Sequence, residues 1–184
     1  MKRFITVLAI LTCLLPLGAQ PSGQYYSLSL QAFPYFAIPH FKDEIPMRTA
    51  GGAEISAEIL GYRFNTIEGS LAIRYRATTP SIPHGFYQAR GFDSFGADLR
   101  FAYSFNDTLS LFATAGTEIN FYRRIKEAFA SFSTSVGVEF TLVETAGSRL
   151  SLGVPLTIHL RKEITAIQSG VSVRYQLFPK RREN

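Results

Sequence analysis

After residue 20 the chain alternates between apolar and polar residues over long stretches. The clearest case is 150–160, where Leu, Val and Ile alternate with Ser, Gly, Pro, Thr and His. A period of two residues predicts a β-strand with two different faces, and no convincing amphipathic helix interrupts the series. The pattern predicts eight strands, at about 25–36, 52–64, 68–77, 94–105, 108–122, 129–142, 149–161 and 165–178.

The lengths of these strands and their connections favour a membrane barrel. Most of the segments span about 10 to 14 residues. A globular strand typically has about 5 or 6 residues, whereas a tilted membrane-spanning strand needs about 9–11. Tight turns near Asn65, Asn106 and Gly147 alternate with longer connections. Short turns at one end and longer loops at the other are typical of outer-membrane β-barrels.

The polar phase of the strands carries small residues and charges of both signs. A small enclosed lumen suits such a mixture, because each buried charge there needs a partner. Arginine can bind a carboxylate through two parallel hydrogen bonds. A guanidinium therefore suits this interior better than the ammonium group of lysine. We expect Glu54 and Glu58 to meet Arg74 or Arg76 across the neighbouring strand. The predicted polar lumen network comprises Glu54, Glu58, Arg74, Arg76, Asp98, Arg100, Glu118, Glu139, His159 and Arg174.

The opposite phase is apolar and has no ionisable residue in the midsections of the strands. A single Arg or Lys at the bilayer midplane would cost about 2–4 kcal/mol, so this absence is expected of a lipid-facing surface. A water-exposed sheet face usually carries lysines, yet all four lysines beyond residue 20 fall in connections or the tail. The predicted outward residues are Leu28, Leu30, Ile55, Ile59, Leu71, Ile73, Leu99, Phe101, Leu109, Leu111, Val136, Val138, Phe140, Val171, Val173 and Leu177.

These patterns together predict an all-β fold, an eight-stranded antiparallel up-and-down transmembrane β-barrel with a polar filled lumen. The composition agrees, since charged residues are 18% of the chain against roughly 25% in ordinary soluble domains. Arginine outnumbers lysine 14 to 5, and the net charge of +5 is spread out, which does not indicate nucleic-acid binding. The alternative left open is a soluble periplasmic barrel whose apolar face binds an apolar ligand.

The N-terminus has the layout of a secretory signal peptide. Lys2 and Arg3 precede an apolar run over 4–17 that ends in small residues, which predicts a signal peptide at 1–19. The barrel then covers 20–178, and 179–184 form a short basic periplasmic tail. Cys13 is the only cysteine, which excludes a disulfide scaffold or a Cys-based zinc site. Cleavage at another site and lipidation of Cys13 remain open.

The last strand, Val-Ser-Val-Arg-Tyr-Gln-Leu-Phe over 171–178, is similar to terminal strands read by the outer-membrane assembly machinery. By pattern, 24–178 resemble the small eight-stranded bacterial outer-membrane barrels, which include the membrane domain of OmpA and the OmpX-type proteins. The resemblance implies an outer-membrane location, with membrane lipid and the assembly machinery as partners. The chain departs from that pattern because it continues past Phe178, which is out of phase with Tyr175. We therefore expect Leu177 to take the terminal outward position.

Pro155 conflicts with its position inside a predicted strand, because proline has no N–H to donate to a neighbouring strand. Every strand of a closed barrel is paired on both sides. We therefore expect either a bulge at Pro155 or a proline nitrogen that faces an unbonded site.

The sequence offers few candidates for a catalytic, cofactor or metal site. The histidines beyond residue 20, His40, His84 and His159, lack a recognisable catalytic constellation, so we expect no enzyme, and no cofactor or metal site stands out. The favoured function is structural or surface-interacting, through extracellular loops that meet an unidentified ligand, with the lumen plugged by salt bridges. A narrow pore or carrier for a small solute is the alternative. The candidate loop contacts are Phe86, Tyr87, Arg90 and Phe92.

Overall fold

The computed structural model describes residues 23–39, 49–80, 91–122, 128–161 and 164–178, and within these ranges nearly every residue lies in a strand or a tight turn. No helix in the described part of the chain is long and apolar enough to cross a membrane. The predicted signal peptide, Cys13 and the tail lie outside the described residues. The strands are β1 (Gln24–Pro39), β2 (Thr49–Phe64), β3 (Ile67–Pro80), β4 (Phe92–Ser104), β5 (Leu109–Tyr122), β6 (Ala128–Glu144), β7 (Ser148–Leu160), β8 (Ile164–Ser169) and β9 (Val171–Leu177).

The sheet closes on itself. Each strand from β1 to β7 pairs antiparallel with the next. β8 and β9 follow one another along the same line, and both pair with β7 on one side and β1 on the other. They are therefore two halves of one eighth strand, interrupted at Gly170. The predicted closed eight-stranded antiparallel barrel is confirmed.

The seven uninterrupted strands have 13 to 17 residues. Five of them are longer than predicted, whereas β5 is one residue shorter than predicted and β7 has the predicted length. Most of the extra length lies at the end where the connections 40–48, 81–90, 123–127 and 162–163 emerge, which we call the loop end. The opposite, turn end has the tight connections. Asn65 turns there with φ 53°, in the left-handed region that asparagine tolerates better than most residues.

The apolar phase faces outward, as predicted. Leu99, Phe101 and Val136 are more than half exposed on the outer surface of the barrel. Two predicted outward residues depart from the expectation. A bulge in β2 between Glu58 and Leu60 shifts the phase, so Leu60 rather than Ile59 holds the paired, exposed position. A bulge adds one residue to one strand and changes the face of every residue after it. Ile55 keeps the outward phase, opposite Leu30 and Tyr75, but is only 4% exposed.

The predicted bulge at Pro155 is absent on the β6 side. The register between β6 and β7 continues through the pair Gly137 and Pro155 without a shift. The irregularity of this strand pair lies nearer the turn end, between Thr141 and Val143.

On the side of β8 and β9, Pro155 agrees with the second expectation, that its nitrogen faces an unbonded site. β7 pairs with β9 as far as Gly153 and resumes pairing with β8 at Leu156, in the same register. This register places Pro155 opposite Gly170, the residue at which the eighth strand is interrupted. The missing proline donor therefore coincides with the break in the neighbouring strand.

Gly170 is held tightly against β1 at this break. A Cβ built on Gly170 would lie 2.1 Å from the Ala32 carbonyl oxygen and 2.9 Å from Phe33 Cβ. Only glycine lets the interrupted strand approach β1 so closely, because a backbone carbonyl oxygen and a Cβ cannot move without moving the β1 backbone.

We predict that Gly170→Ala lowers the free energy of unfolding by about 1–3 kcal/mol, the typical cost of overpacking a tight site. Urea unfolding in lipid vesicles, followed by far-UV circular dichroism, measures the change. Gly147→Ala is the matched control, because an added Cβ there meets no heavy atom within 4 Å. Equal midpoints for the two variants would contradict the close packing at Gly170.

Candidate functional site

The inward phase brings the predicted polar residues into one lumen. Nine of the ten are buried, and Glu54 is half-buried beside a central cavity. We distinguish two groups on either side of this cavity. The turn-end cluster comprises Glu58, Glu68, Arg100, Glu139, Arg149 and Arg174, and the loop-end cluster comprises Arg74, Arg76, Asp98, Glu118, His159 and Gln168.

Arg174 is the centre of the turn-end cluster. Its Nε and Nη2 each donate to one oxygen of Glu58 at 2.8 Å, which makes a bidentate pair. Its Nη1 donates to Glu139 Oε1 at 3.1 Å and lies 3.4 Å from Glu68 Oε2. One buried guanidinium thus joins carboxylates from three other strands, β2, β6 and β3.

Two further arginines complete the turn-end cluster. Arg100 Nη2 donates to Glu139 Oε2 at 2.7 Å, and Arg149 Nη1 donates to Glu68 Oε1 at 2.9 Å. Arg149 also donates to both oxygens of Glu144 at 3.0 Å, at the rim of the barrel. Three buried guanidiniums face three buried carboxylates, so the cluster is electrically neutral.

Phe178 covers the turn end of the lumen. The guanidinium carbons of Arg63 and Arg149 each lie 5.9 Å from its ring centroid, within cation–π range, and its ring packs edge-to-face on Tyr25 at 6.2 Å. Leu177 faces outward and is 44% exposed, as the phase of the strand predicts. The out-of-phase aromatic therefore caps the interior rather than facing lipid.

Arg76 is the centre of the loop-end cluster and is fully buried. Its Nη2 donates to Glu118 Oε1 at 2.7 Å, and its Nη1 donates to Gln168 Oε1 at 3.0 Å and to His159 Nε2 at 2.8 Å. His159 Nδ1 lies 3.0 Å from Glu118 Oε1, so an imidazole with its proton on Nδ1 can donate to that carboxylate. His159 is thus engaged by structural partners inside the barrel.

Arg74 links the loop-end cluster to the cavity. Its Nε lies 3.2 Å from Asp98 Oδ2, its Nη2 lies 3.2 Å from Glu118 Oε2, and Nη2 also donates to the Ser133 hydroxyl. Ser131 donates to Glu118 Oε1 at 2.8 Å. Glu118 therefore accepts hydrogen bonds from side chains of several strands, as a buried carboxylate must.

An apolar plug lies beyond the loop-end cluster. It contains Phe92, whose position differs from the prediction. Phe92 was expected in a loop, but it begins β4, is 1% exposed and packs its ring 5.5 Å from Tyr35 and 5.2 Å from Tyr122. The strand starts earlier than predicted, and Phe92 shares the inward phase of Asp98. Phe86, Tyr87 and Arg90 lie outside the described residues. The plug consists of Phe33, Tyr35, Ala37, Ala50, Phe92, Ile164 and Ala166.

The central cavity has a volume of about 80 Å³. Serines and threonines line it together with charged side chains of both clusters. A polar site needs about 10–15 Å³ of such volume for each water, so there is room for a few waters but not for an ordinary solute. Within the described ranges, no group of three His, Cys, Asp or Glu side chains could hold a metal ion.

The pairing of the acids differs in part from expectation. Glu54 lies directly opposite Arg76 in the register of β2 and β3, and it acts electrostatically on Arg74. Glu58 is bound by Arg174 instead of Arg74 or Arg76, because closure of the barrel brings the last strand close to β2. Such a contact, 116 residues apart in sequence, does not follow from neighbouring-strand pairing.

Sequence reasoning missed two charged members of the lumen. Glu68 shares the phase of Arg74 and Arg76, and Arg149 shares the phase of His159. Both residues are the second residues of their strands, β3 and β7, beside tight turns. The predicted strands 68–77 and 149–161 already included both residues, so their inward phase was the available signal.

Comparison with known proteins places this fold. No protein-family model and no curated protein sequence matches the chain. Among solved structures, Ail, the attachment invasion locus protein of Yersinia pestis, in complex with the heparin analogue sucrose octasulfate, is similar with a TM-score of 0.57. The match has 10% identity and covers 84% of this chain and 99% of that one. Neisserial surface protein A is similar with a TM-score of 0.55 and 15% identity, over 82% of this chain and 95% of that one. The chain has the fold of the small eight-stranded outer-membrane β-barrels.

We predict that Arg174→Met lowers the free energy of unfolding by about 3–5 kcal/mol, because it leaves buried carboxylates without their central cation. Urea unfolding in lipid vesicles measures this loss. Arg63→Met is the matched control, since Arg63 and its partner Glu144 are each about one-third exposed and such pairs contribute about 0–1 kcal/mol. Similar losses for both variants would show that Arg174 does not organise the interior.

Proposed function

We propose that this chain is an exported bacterial outer-membrane protein whose barrel is sealed against solutes. In this proposal it acts structurally or through surface interactions of its loops. The observation that carries the proposal is the filled lumen, in which ionic clusters and an apolar plug lie in series along the axis.

The sealing follows from how each layer is bonded. At the turn end, Arg174 joins carboxylates of three strands, and Phe178 covers the opening. At the loop end, Arg76 is bonded to side chains from four strands, β4, β5, β7 and β8, and Phe92 packs beyond it. A hydrated ion would have to separate several charge-assisted hydrogen bonds in each cluster, which favours a plugged barrel over a pore.

The outer surface supports a membrane location. Large apolar and aromatic side chains are exposed around the barrel, including Phe64 and Phe105 at the turn end and Phe36 and Phe121 at the loop end. Contiguous apolar surface of this extent needs a partner, and lipid fits a belt that surrounds the whole barrel. The inward polar face also argues against the soluble alternative, which needs an apolar interior for its ligand.

The topology supports a surface role for the loops. The connections 40–48, 81–90, 123–127 and 162–163 all leave the barrel at one end. The turns lie at the other end, where we place the periplasm together with both chain ends. Within 81–90, Phe86, Tyr87 and Arg90 are our proposed contacts for an extracellular ligand, because aromatic and arginine residues are enriched at interaction sites.

The terminal strand supports an interaction with the outer-membrane assembly machinery. Tyr175 and Leu177 of β9 are each 44% exposed on the outward face. We propose that the assembly machinery recognises 171–178 by this apolar outward face near the chain end.

Planar-bilayer recording tests the sealed lumen against the pore alternative. We predict no stable, large single-channel current after the purified protein is inserted into the bilayer, because both ionic clusters close the lumen. Gel mobility before and after boiling verifies that the inserted protein is folded, and a general porin in the same bilayers is the positive control. A reproducible large current from the folded protein would favour the narrow pore.

A further inference from the structure

The two halves of the eighth strand are bonded to the barrel interior in different ways. In β9, the guanidinium of Arg174 binds the carboxylates of Glu58 and Glu139. Gln176 of the same segment donates to Glu68 Oε2 at 3.1 Å. These charge-assisted hydrogen bonds tie β9 to β2, β3 and β6, so β9 is anchored across the whole turn end of the lumen.

The other half, β8, has fewer bonds to the interior. Its sequence, Ile-Thr-Ala-Ile-Gln-Ser, contains no charged residue, so no ion pair holds this segment. Its inward side chains are those of Ile164, Ala166 and Gln168, and all three are buried. Gln168 Oε1 accepts from Arg76 Nη1 at 3.0 Å, whereas Ile164 and Ala166 pack in the apolar plug. One amide and two apolar side chains thus hold β8 from inside, where β9 has a central guanidinium.

Backbone pairing lapses between the two halves, on both sides of the strand. On the β1 side the lapse covers Phe33 and Pro34, and on the β7 side it covers Val154 and Pro155. Each neighbouring strand therefore has a proline at this level, and a proline has no N–H to donate to the eighth strand. The break at Gly170 is thus built into both neighbouring strands as well.

The far end of β8 stays attached to β7. A tight turn joins these two strands, and in it the Arg161 N–H donates to the Ile164 carbonyl oxygen at 3.0 Å. Toward β1, β8 is held by a ladder of five residue pairs, 35–39 with 164–168, and by the apolar contacts of the plug. These two strands are far apart in sequence and meet because the barrel closes. The junction between β1 and β8 is therefore the side on which β8 can separate.

Short segments with few buried polar bonds open at a lower free energy than the whole fold, and hinges lie at the ends of such segments. Gly170 can serve as the hinge, because a residue without a side chain has the widest choice of backbone angles. We propose that β8 is a lateral flap of the barrel wall, which swings away from β1 about Gly170 and leaves β9 in place. Its opening exposes the apolar plug to the surrounding bilayer, while the turn-end cluster keeps the lumen closed. The flap is independent of the proposed surface role of the loops.

Amide hydrogen exchange, resolved by residue with NMR on the folded protein in lipid nanodiscs, tests the flap. We expect the amides of 164–169 to exchange at least about tenfold faster than those of 171–177, because local opening frees only the former. Residues 93–97 of β4 and 117–121 of β5 also lie at the loop end and are the control for distance from the membrane surface. Their amides should exchange as slowly as those of β9.

A disulfide across the junction tests the direction of opening. Ala37 and Ala166 are direct partners in the register of β1 and β8, at a spacing that a disulfide can bridge. We expect oxidised A37C/A166C to slow exchange of 164–169 by at least about tenfold, and reduction to restore it, because the disulfide blocks the local opening. L30C/V173C is the matched control, since it links β1 to β9 and closes a chain loop of similar length. It should leave exchange of 164–169 unchanged.

The wild-type exchange pattern decides the proposal even if a disulfide variant fails to fold. Equal rates in 164–169 and 171–177 would overturn it, because the eighth strand would then behave as one unit. Equally fast exchange in 93–97 and 117–121 would also overturn it, since the whole loop end would then fray. If A37C/A166C leaves the rates of 164–169 unchanged, or if both disulfides slow them equally, β8 does not open from β1 and the proposal is wrong.

Discussion

The bidentate pair between Arg174 and Glu58 joins the last strand to the second, and the rest of the interior depends on the same constraint. A narrow closed barrel offers its inward side chains little water, so every charge inside it must find a partner on another strand. Arg174 meets that constraint for the turn end, and Arg76 meets it for the loop end. Because each guanidinium bonds several strands, the clusters also hold the barrel in register. The outer face follows from the same division, since charges placed inside leave an apolar surface for lipid.

The order of layers along the axis gives the proposed function its physical basis. Phe178 with the turn-end cluster, the small cavity, the loop-end cluster and the apolar plug around Phe92 lie in series. None of these layers is a surface site suited to chemistry, and His159, the only histidine within the described residues, is bonded inside the loop-end cluster.

Much of this arrangement could be read from the period of the sequence. Alternation places Arg74, Arg76 and Arg174 inside, because the face of a strand residue depends only on its phase. Two local features depart from this rule. The β2 bulge changes the face of Ile59, and β4 begins earlier than predicted, which places Phe92 in the core and not in a loop. The pairing of Glu58 with Arg174 depends on barrel closure, which no local pattern encodes.

Membrane fractionation combined with heat-modifiable gel mobility tests directly whether this chain is a closed barrel of the outer membrane. We predict that the protein, expressed with its N-terminal segment in a bacterium that has an outer membrane, is recovered in the outer-membrane fraction and requires detergent for extraction. Its mobility on a gel should differ between unheated and boiled samples, because the closed, ion-paired barrel resists unfolding until heated. Recovery of the folded protein in the soluble fraction without detergent would contradict the membrane location.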